Sequence, residues 1–306
     1  MTMTSSSGTD RPIVVGVDGS ALADAAVLWA GAEAARRGTS LHVVHAFVHL
    51  HAVGGYVAVL DTADPLEIGG EVCERAARAA REAFPALTVT TEVRVGRAAP
   101  ELIKASRDAA MVVLGARGHG RVTGLLVGSV SQQVAMYARC PVVVVRGTGD
   151  RGPVVVGVDG SPAAADALRF AVEYAAATGV PVRAVRAEYV ELPMGAPPGA
   201  WYADLVDRSS QATEAARRAV EDVAADHPGV DIELEVVRRH PEAALVEEAA
   251  DAGLLVVASR GLGGFTGLML GSVSQGVLSR AQVTVAVVPG AEGEEHPDDP
   301  HVPERP

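Results

Sequence analysis

The chain of 306 residues contains two copies of one unit, and this internal repeat limits its possible folds more than any other feature. The segment RPIVVGVDGSALADAA (11–26) returns as GPVVVGVDGSPAAADA (152–167), and GSVSQQV (128–134) returns as GSVSQGV (271–277). Two copies are too few for a solenoid. Each copy has the length of an ordinary domain, so the repeat predicts two tandem domains at 11–147 and 152–289.

Each unit alternates Val-rich apolar runs with stretches of helical pattern. In the first unit the strands are predicted at 12–17, 40–47, 87–95, 111–116 and 141–146, and the helices at 21–37, 66–84, 98–109 and 128–139. Strands separated by helices form right-handed βαβ units, whose strands lie parallel with helices on both faces. The sequence therefore predicts an α/β fold with a five-stranded parallel sheet in each domain.

Composition excludes several kinds of partner. The net charge of −12 argues against nucleic acid and against an anionic membrane surface, because both attract basic faces. Apolar runs are too short to span a membrane, and MTMTSSSGTD (1–10) lacks the features of a secretory signal, so we expect a cytoplasmic protein. Residues 1–10 and the acidic, Pro-rich segment 290–306 are predicted to be disordered.

A glycine-rich loop follows the fourth strand of each unit, as GARGHGRVTGLLVGS (115–129) and ASRGLGGFTGLMLGS (258–272). The first strand of each unit ends at Asp18 or Asp159. In a parallel sheet these stretches meet at the carboxyl ends of the strands, where ligands bind. Free N–H groups at the start of the next helix favour an anion. The alternative is a purely structural loop in which glycines serve turns and packing.

Two common phosphate motifs do not fit. A P-loop needs GxxxxGK[ST], and the chain contains no GK pair; the dinucleotide fingerprint would follow the first strand, where GVDGS offers only two glycines. The cations nearest the loops are Arg117, Arg121 and Arg260.

The sequence resembles the universal stress protein family in its tandem-domain form. The resemblance rests on VVGVDGS near the start of each unit and on GxxGxxxxxxxxxGSVS near its end, followed in the first unit by CPVVVVR (140–146). It implies Rossmann-like domains of the adenine nucleotide alpha hydrolase-like type. It also implies that ATP, alone or with Mg²⁺, binds in each domain.

The resemblance assigns a ligand-binding role to equivalent residues of both units. The Asp and the end of the second strand are expected to contact adenosine, and the glycine loop to contact ribose and phosphates. The predicted site residues are Gly16, Asp18, Ala46, Gly115, Arg117, Gly118, Gly120, Arg121, Gly128, Ser129, Val130 and Ser131 in the first unit, and Gly157, Asp159, Ala187, Ala258, Arg260, Gly261, Gly263, Gly271, Ser272, Val273 and Ser274 in the second.

One departure from the motif is Ala258, which stands where the first glycine of the loop is expected. If this position requires a positive φ, the second site is weakened; otherwise it binds normally.

Other chemistry is poorly supported by the sequence. His42, His45, His49 and His51 lie close together, but His42 and His45 point to opposite faces of a strand, so no metal site is predicted. The chain lacks the G-x-S-x-G pattern of a Ser–His–Asp hydrolase, and no pair of carboxylates suits acid–base catalysis. No catalytic residue is assigned.

Three functions follow from this reading. The first is a nucleotide-dependent stress-response or signalling module that does not turn ATP over; the alternatives are a slow ATPase and a scaffold that has lost nucleotide binding. By the same resemblance, the fifth strands, 141–146 and 283–288, pair with each other and make an internal pseudo-dimer. A homodimer of two chains is also expected.

Overall fold

The computed structural model describes residues 11–48, 65–118, 127–147, 152–189, 200–262 and 270–290. The first half contains β1 (Ile13–Gly16), α1 (Ala21–Arg37), β2 (Leu41–Phe47), α2 (Pro65–Ala83), β3 (Val89–Val95), α3 (Ala98–Ala105), β4 (Met111–Gly115), α4 (Ser129–Tyr137) and β5 (Val142–Val145). The second half contains β6 (Val154–Gly157), α5 (Pro162–Thr178), β7 (Val182–Ala187), α6 (Ala200–Asp226), β8 (Ile232–Val237), α7 (Pro241–Glu248), β9 (Leu254–Ala258), α8 (Ser272–Arg280) and β10 (Val285–Val288).

Local signals set the bounds of the first helix in each half. The Oγ of Ser20 accepts the N–H of Ala23 at 3.2 Å, which caps α1, and Gly38 ends it with a φ of +64°. Ser161 and Gly179 do the same for α5. The helix predicted at 98–109 is shorter than expected. It ends at Ala105 because the hydroxyl of Ser106 bonds the carbonyl of Ile103 and also accepts the N–H of Arg139.

The ten strands form one sheet in the order β3-β2-β1-β4-β5-β10-β9-β6-β7-β8. Within each half all neighbouring strands are parallel, which confirms the predicted fold class. At the junction β5 runs antiparallel to β10, with Val143 opposite Ala286. The fifth strands therefore pair as predicted, and neither is left as an apolar edge.

Helices cover both faces of the sheet. One face packs on α1, α2, α5 and α6, and the other on α3, α4, α7 and α8. Successive valines of β5 point to opposite faces of the sheet. Val143 packs on the face covered by α1, α2, α5 and α6, and Val144 packs on the other face. Such strands are apolar on both sides, which is typical of buried parallel sheets.

The two halves also meet through α1 and α5, and this contact is not symmetric. The rings of Trp29 and Tyr174 stack at 5.9 Å between centroids. The Arg36 guanidinium lies 5.3 Å from the centre of the Tyr174 ring. The buried carboxylate of Glu33 accepts hydrogen bonds from Arg36 and Arg37, and Tyr174 takes the equivalent place in the other half. The first half therefore supplies the cation and the second half the ring beneath it.

Some predictions fall outside this description. The segments predicted to be disordered, 1–10 and 290–306, are not among the described residues apart from Gly290, and neither are His49 and His51. Across the described ranges we find no helix whose length and apolar character would suit a membrane crossing.

Candidate functional site

A cavity of about 510 Å³ opens at the carboxyl ends of β1, β2 and β4 in the first half. It lies on the face covered by α3 and α4, and Ala98 and Leu102 of α3 form one of its walls. Ten of the twelve residues predicted for this half line it: Gly16, Asp18, Ala46, Gly115, Arg117, Gly118, Gly128, Ser129, Val130 and Ser131. The other two, Gly120 and Arg121, lie outside the described residues.

Asp18 connects the end of β1 to the glycine loop. Its Oδ1 accepts the N–H of Ser20 at 3.0 Å, and its Oδ2 occupies the space that a side chain on Gly118 would need. The loop can pass this close to the carboxylate only because residue 118 has no Cβ.

The second half repeats this arrangement. The Oδ1 of Asp159 accepts the N–H of Ser161 at 2.9 Å, and its Oδ2 accepts the loop N–H of Leu262 at 2.8 Å. Gly261 faces Asp159 as Gly118 faces Asp18. In both halves the Asp lies against the start of the glycine loop, and in the second half a hydrogen bond holds the loop there, a structural role that is compatible with a ligand contact.

Gly115 is required by close packing and not by its backbone angles. It is the last residue of β4, and it is not among the positive-φ glycines of the described residues. A Cβ on Gly115 would lie 2.8 Å from the carbonyl carbon of Leu22, at the start of α1. Ala258, its counterpart, ends β9 as a regular strand residue. The concern that Ala258 needs a positive φ is therefore removed.

A Gly115→Ala substitution is expected to lower the free energy of unfolding by about 1–3 kcal/mol, the usual cost of overpacking, because backbone atoms of α1 must move. Chemical denaturation of the full chain measures this. The reverse change at the matched position, Ala258→Gly, is expected to cost less, since it removes a methyl group and creates no clash. Equal losses in the two variants would contradict this account.

The start of α4 forms the other end of the cavity. Gly128 precedes the helix, and of the described side chains none caps it. A Cβ on Gly128 would approach the Ala116 carbonyl oxygen only to 3.4 Å, an ordinary contact, so packing does not demand glycine here. The helix N-terminus is left open toward the cavity, where its dipole favours an anion. Gly271 holds the same place before α8.

Ser131 has a structural role that the sequence did not reveal. It is buried, and its hydroxyl donates to the carbonyl oxygen of Gly115 at 2.8 Å. Ser274 likewise donates to the Ala258 carbonyl oxygen at 2.6 Å. Each serine ties the first turn of the last helix to the end of the fourth strand. The motif GSVS occurs in both halves with its second serine at the same place, and this repetition was the sequence signal that could have predicted the role.

Sequence reasoning also missed Arg146, which follows β5. Its guanidinium donates to the carbonyl oxygen of Leu278, near the C-terminus of α8 in the other half. Burial, with a contribution from the charge of Arg117, lowers the pKa of Arg146 to about 10. In the second half Pro289 stands at this position, so the two sites differ in their cationic surroundings.

The remaining predicted residues of the second half gather at the equivalent place. Gly157, Ala187 and Ala258 end β6, β7 and β9, and Arg260 and Gly261 follow β9. Gly271, Ser272, Val273 and Ser274 form the start of α8. Gly263 lies outside the described residues.

Of the four histidines considered as metal ligands, the structure describes His42 and His45, which make separate contacts. His42 Nε2 lies 2.9 Å from a carboxylate oxygen of Glu92, and His45 Nδ1 lies 2.7 Å from the carbonyl oxygen of Val17. Within the described ranges, no three His, Cys, Asp or Glu side chains gather as a metal would require.

Fold and site together define a tandem α/β protein in which each half carries an Asp and a glycine loop at the carboxyl ends of its strands. A family model described as "Universal stress protein family" matches residues 10–146 and 151–289. The chain belongs to the universal stress protein family.

Universal stress proteins of other organisms are similar to this chain over nearly its whole length. A universal stress protein of Mycolicibacterium smegmatis is 38% identical over 295 residues, covering 92% of this chain and 98% of the relative. A universal stress protein of Mycobacterium tuberculosis is 36% identical, with coverage of 90% and 96%. The crystal structure of a universal stress protein from Archaeoglobus fulgidus shares the fold, with a TM-score of 0.63 at 20% identity and coverage of 93% and 98%.

Proposed function

We propose that this protein binds ATP in each half and acts as a nucleotide-dependent module of the stress response. The observation that carries the proposal is the first-half cavity, which joins Asp18, the end of β2 at Ala46 and the open N-terminus of α4. Its volume of about 510 Å³ suits a ligand of nucleotide size.

The polarity of the cavity supports one orientation of the ligand. Valine, alanine and leucine side chains near Ala46 and Ala98 form an apolar end, where a nucleobase would lie. Arg117 and the first turn of α4 form the end that favours phosphates. Asp18 also lines the cavity, beside Gly118 of the loop, and we assign its carboxylate to a ribose hydroxyl. Repetition of the Asp, loop and helix in the second half supports a second site.

We further propose that the protein is not an enzyme, or at most hydrolyses ATP slowly. Asp18 is the one carboxylate among the described residues that line the cavity, and its Oδ1 is engaged by the Ser20 N–H. A general base must lie beside the attacking water, whereas we assign Asp18 to the ribose of the ligand. The internal pairing of halves is present in the structure; the homodimer stays a prediction.

A nucleotide count tests the proposal. The full chain is purified gently and denatured, and the released nucleotide is identified and counted by chromatography. About two adenine nucleotides per chain are expected after loading with Mg-ATP, with turnover below about 0.1 s⁻¹, under the usual enzyme range. No bound nucleotide would leave the family fold as a scaffold, and faster hydrolysis would favour the ATPase.

A further inference from the structure

An aromatic pair stands at the carboxyl end of the second-half sheet. The rings of Tyr189 and His240 meet edge to face, with centroids 5.2 Å apart and an interplanar angle of 67°. Tyr189 follows β7 and is 50% exposed. His240 directly precedes α7, where its side chain makes no cap hydrogen bond. The pair therefore bridges the end of a strand and the start of a helix, and it leaves ring surface open to solvent.

The location of the pair follows from the equivalence of the two halves. Ala187, two residues before Tyr189, corresponds to Ala46, and Pro241, next to His240, corresponds to Ala98. Ala46 and Ala98 both line the first-half cavity, at its apolar end. The leucines of the facing helices confirm the equivalence, because Leu102 lies over Gly16 as Leu245 lies over Gly157.

The first half has no ring at these two positions. Val48 replaces Tyr189, with 54% exposure, and Arg97 replaces His240. The phosphate ends of the two sites, in contrast, are alike in the Asp, the facing glycine and the start of the last helix. Besides the change of Arg146 to Pro289, the sites therefore differ beside the positions equivalent to Ala46 and Ala98, next to the end where the base would lie.

We propose that Tyr189 and His240 form a stacking face for the purine base of a nucleotide bound in the second half. The inference rests on the proposed nucleotide site and adds how its base is recognised. Aromatic rings and nucleobases attract each other through offset or edge-to-face contact, and each such contact contributes substantially to affinity. The second site then depends on stacking, whereas the first depends on its aliphatic wall.

The test isolates one site at a time in the full chain. Asp18→Ala weakens the first site, and in that background Tyr189→Ala is compared with Tyr189→Phe. Asp159→Ala weakens the second site, and in that background Val48→Ala serves as the matched control. Titration calorimetry on nucleotide-free protein measures binding of Mg-ATP and of tripolyphosphate, which has the anionic groups but no base.

Tyr189→Ala is expected to weaken ATP binding roughly 5- to 150-fold, the range for base–aromatic stacking, while tripolyphosphate binding is unchanged. Tyr189→Phe is expected to retain the affinity, because it keeps the ring, and Val48→Ala to change it less than threefold. Unchanged ATP affinity in Tyr189→Ala would overturn the inference, as would an equal loss for tripolyphosphate. A parent protein that binds no ATP would instead overturn the proposed function itself.

Discussion

Asp18→Ala is expected to weaken ATP binding at the first site by roughly 10- to 150-fold, the range for a lost hydrogen bond to a charged group. The carboxylate of Asp18 holds the Ser20 N–H through Oδ1, and Oδ2 lies against Gly118 at the start of the loop. Its removal takes away an acceptor for the ligand and also frees the loop that forms the phosphate end. Titration calorimetry with Mg-ATP should therefore show one tight site per chain in place of two.

Two controls separate this effect from a general loss of structure. Asp24→Ala removes an exposed carboxylate of α1, the helix that follows Asp18. Asp24 does not line the cavity, so this change should leave both sites intact. Asp159→Ala should produce the mirror result, with loss of the second site and retention of the first. If Asp18→Ala bound two equivalents of ATP with the affinity of the parent, the assignment of the cavity would be wrong.

Val143→Asp is expected to lower the free energy of unfolding by about 3–5 kcal/mol, the usual penalty for an uncompensated buried charge. Val143 is fully buried in β5, opposite Ala286 of β10, at the junction of the two halves. Burial should also raise the pKa of the new carboxyl group, so the variant should be less destabilised at low pH, where the group is protonated. Urea unfolding followed by circular dichroism at pH 7 and at pH 4 measures both effects.

The matched control is Val95→Asp, the same substitution on the outermost strand β3. Val95 is 59% exposed, so its new carboxylate stays hydrated and the expected change is within about 0.5 kcal/mol. Similar losses in the two variants would mean that the junction of the halves contributes no more to stability than the edge of the sheet.

Much of the fold was predictable because the chain repeats its own local signals. Ser20 and Gly38 bound α1 at the predicted residues, and the repeat brings Ser161 and Gly179 to the same points of α5. The parallel arrangement of the strands followed from the alternation of Val-rich runs with helical stretches. The clustering of Asp18 with the glycine loop followed from the rule that parallel strands end together.

Contacts between distant segments were not predictable. Gly115 looked like a conformational glycine, but what requires it is the backbone of Leu22, which only the packing of α1 brings near. Arg146 looked like the polar end of a valine run, and its contact with Leu278 depends on how the halves join. The ring pair of Tyr189 and His240 joins residues 51 positions apart that have no shared motif.

The antiparallel junction of β5 and β10 has a consequence for how the protein meets other molecules. The strands of the first half end where those of the second half begin, so the two candidate sites lie on the same face of the sheet but at opposite ends of its strands. Two ligands bound at these sites would lie a strand length apart, with the β5–β10 junction between them.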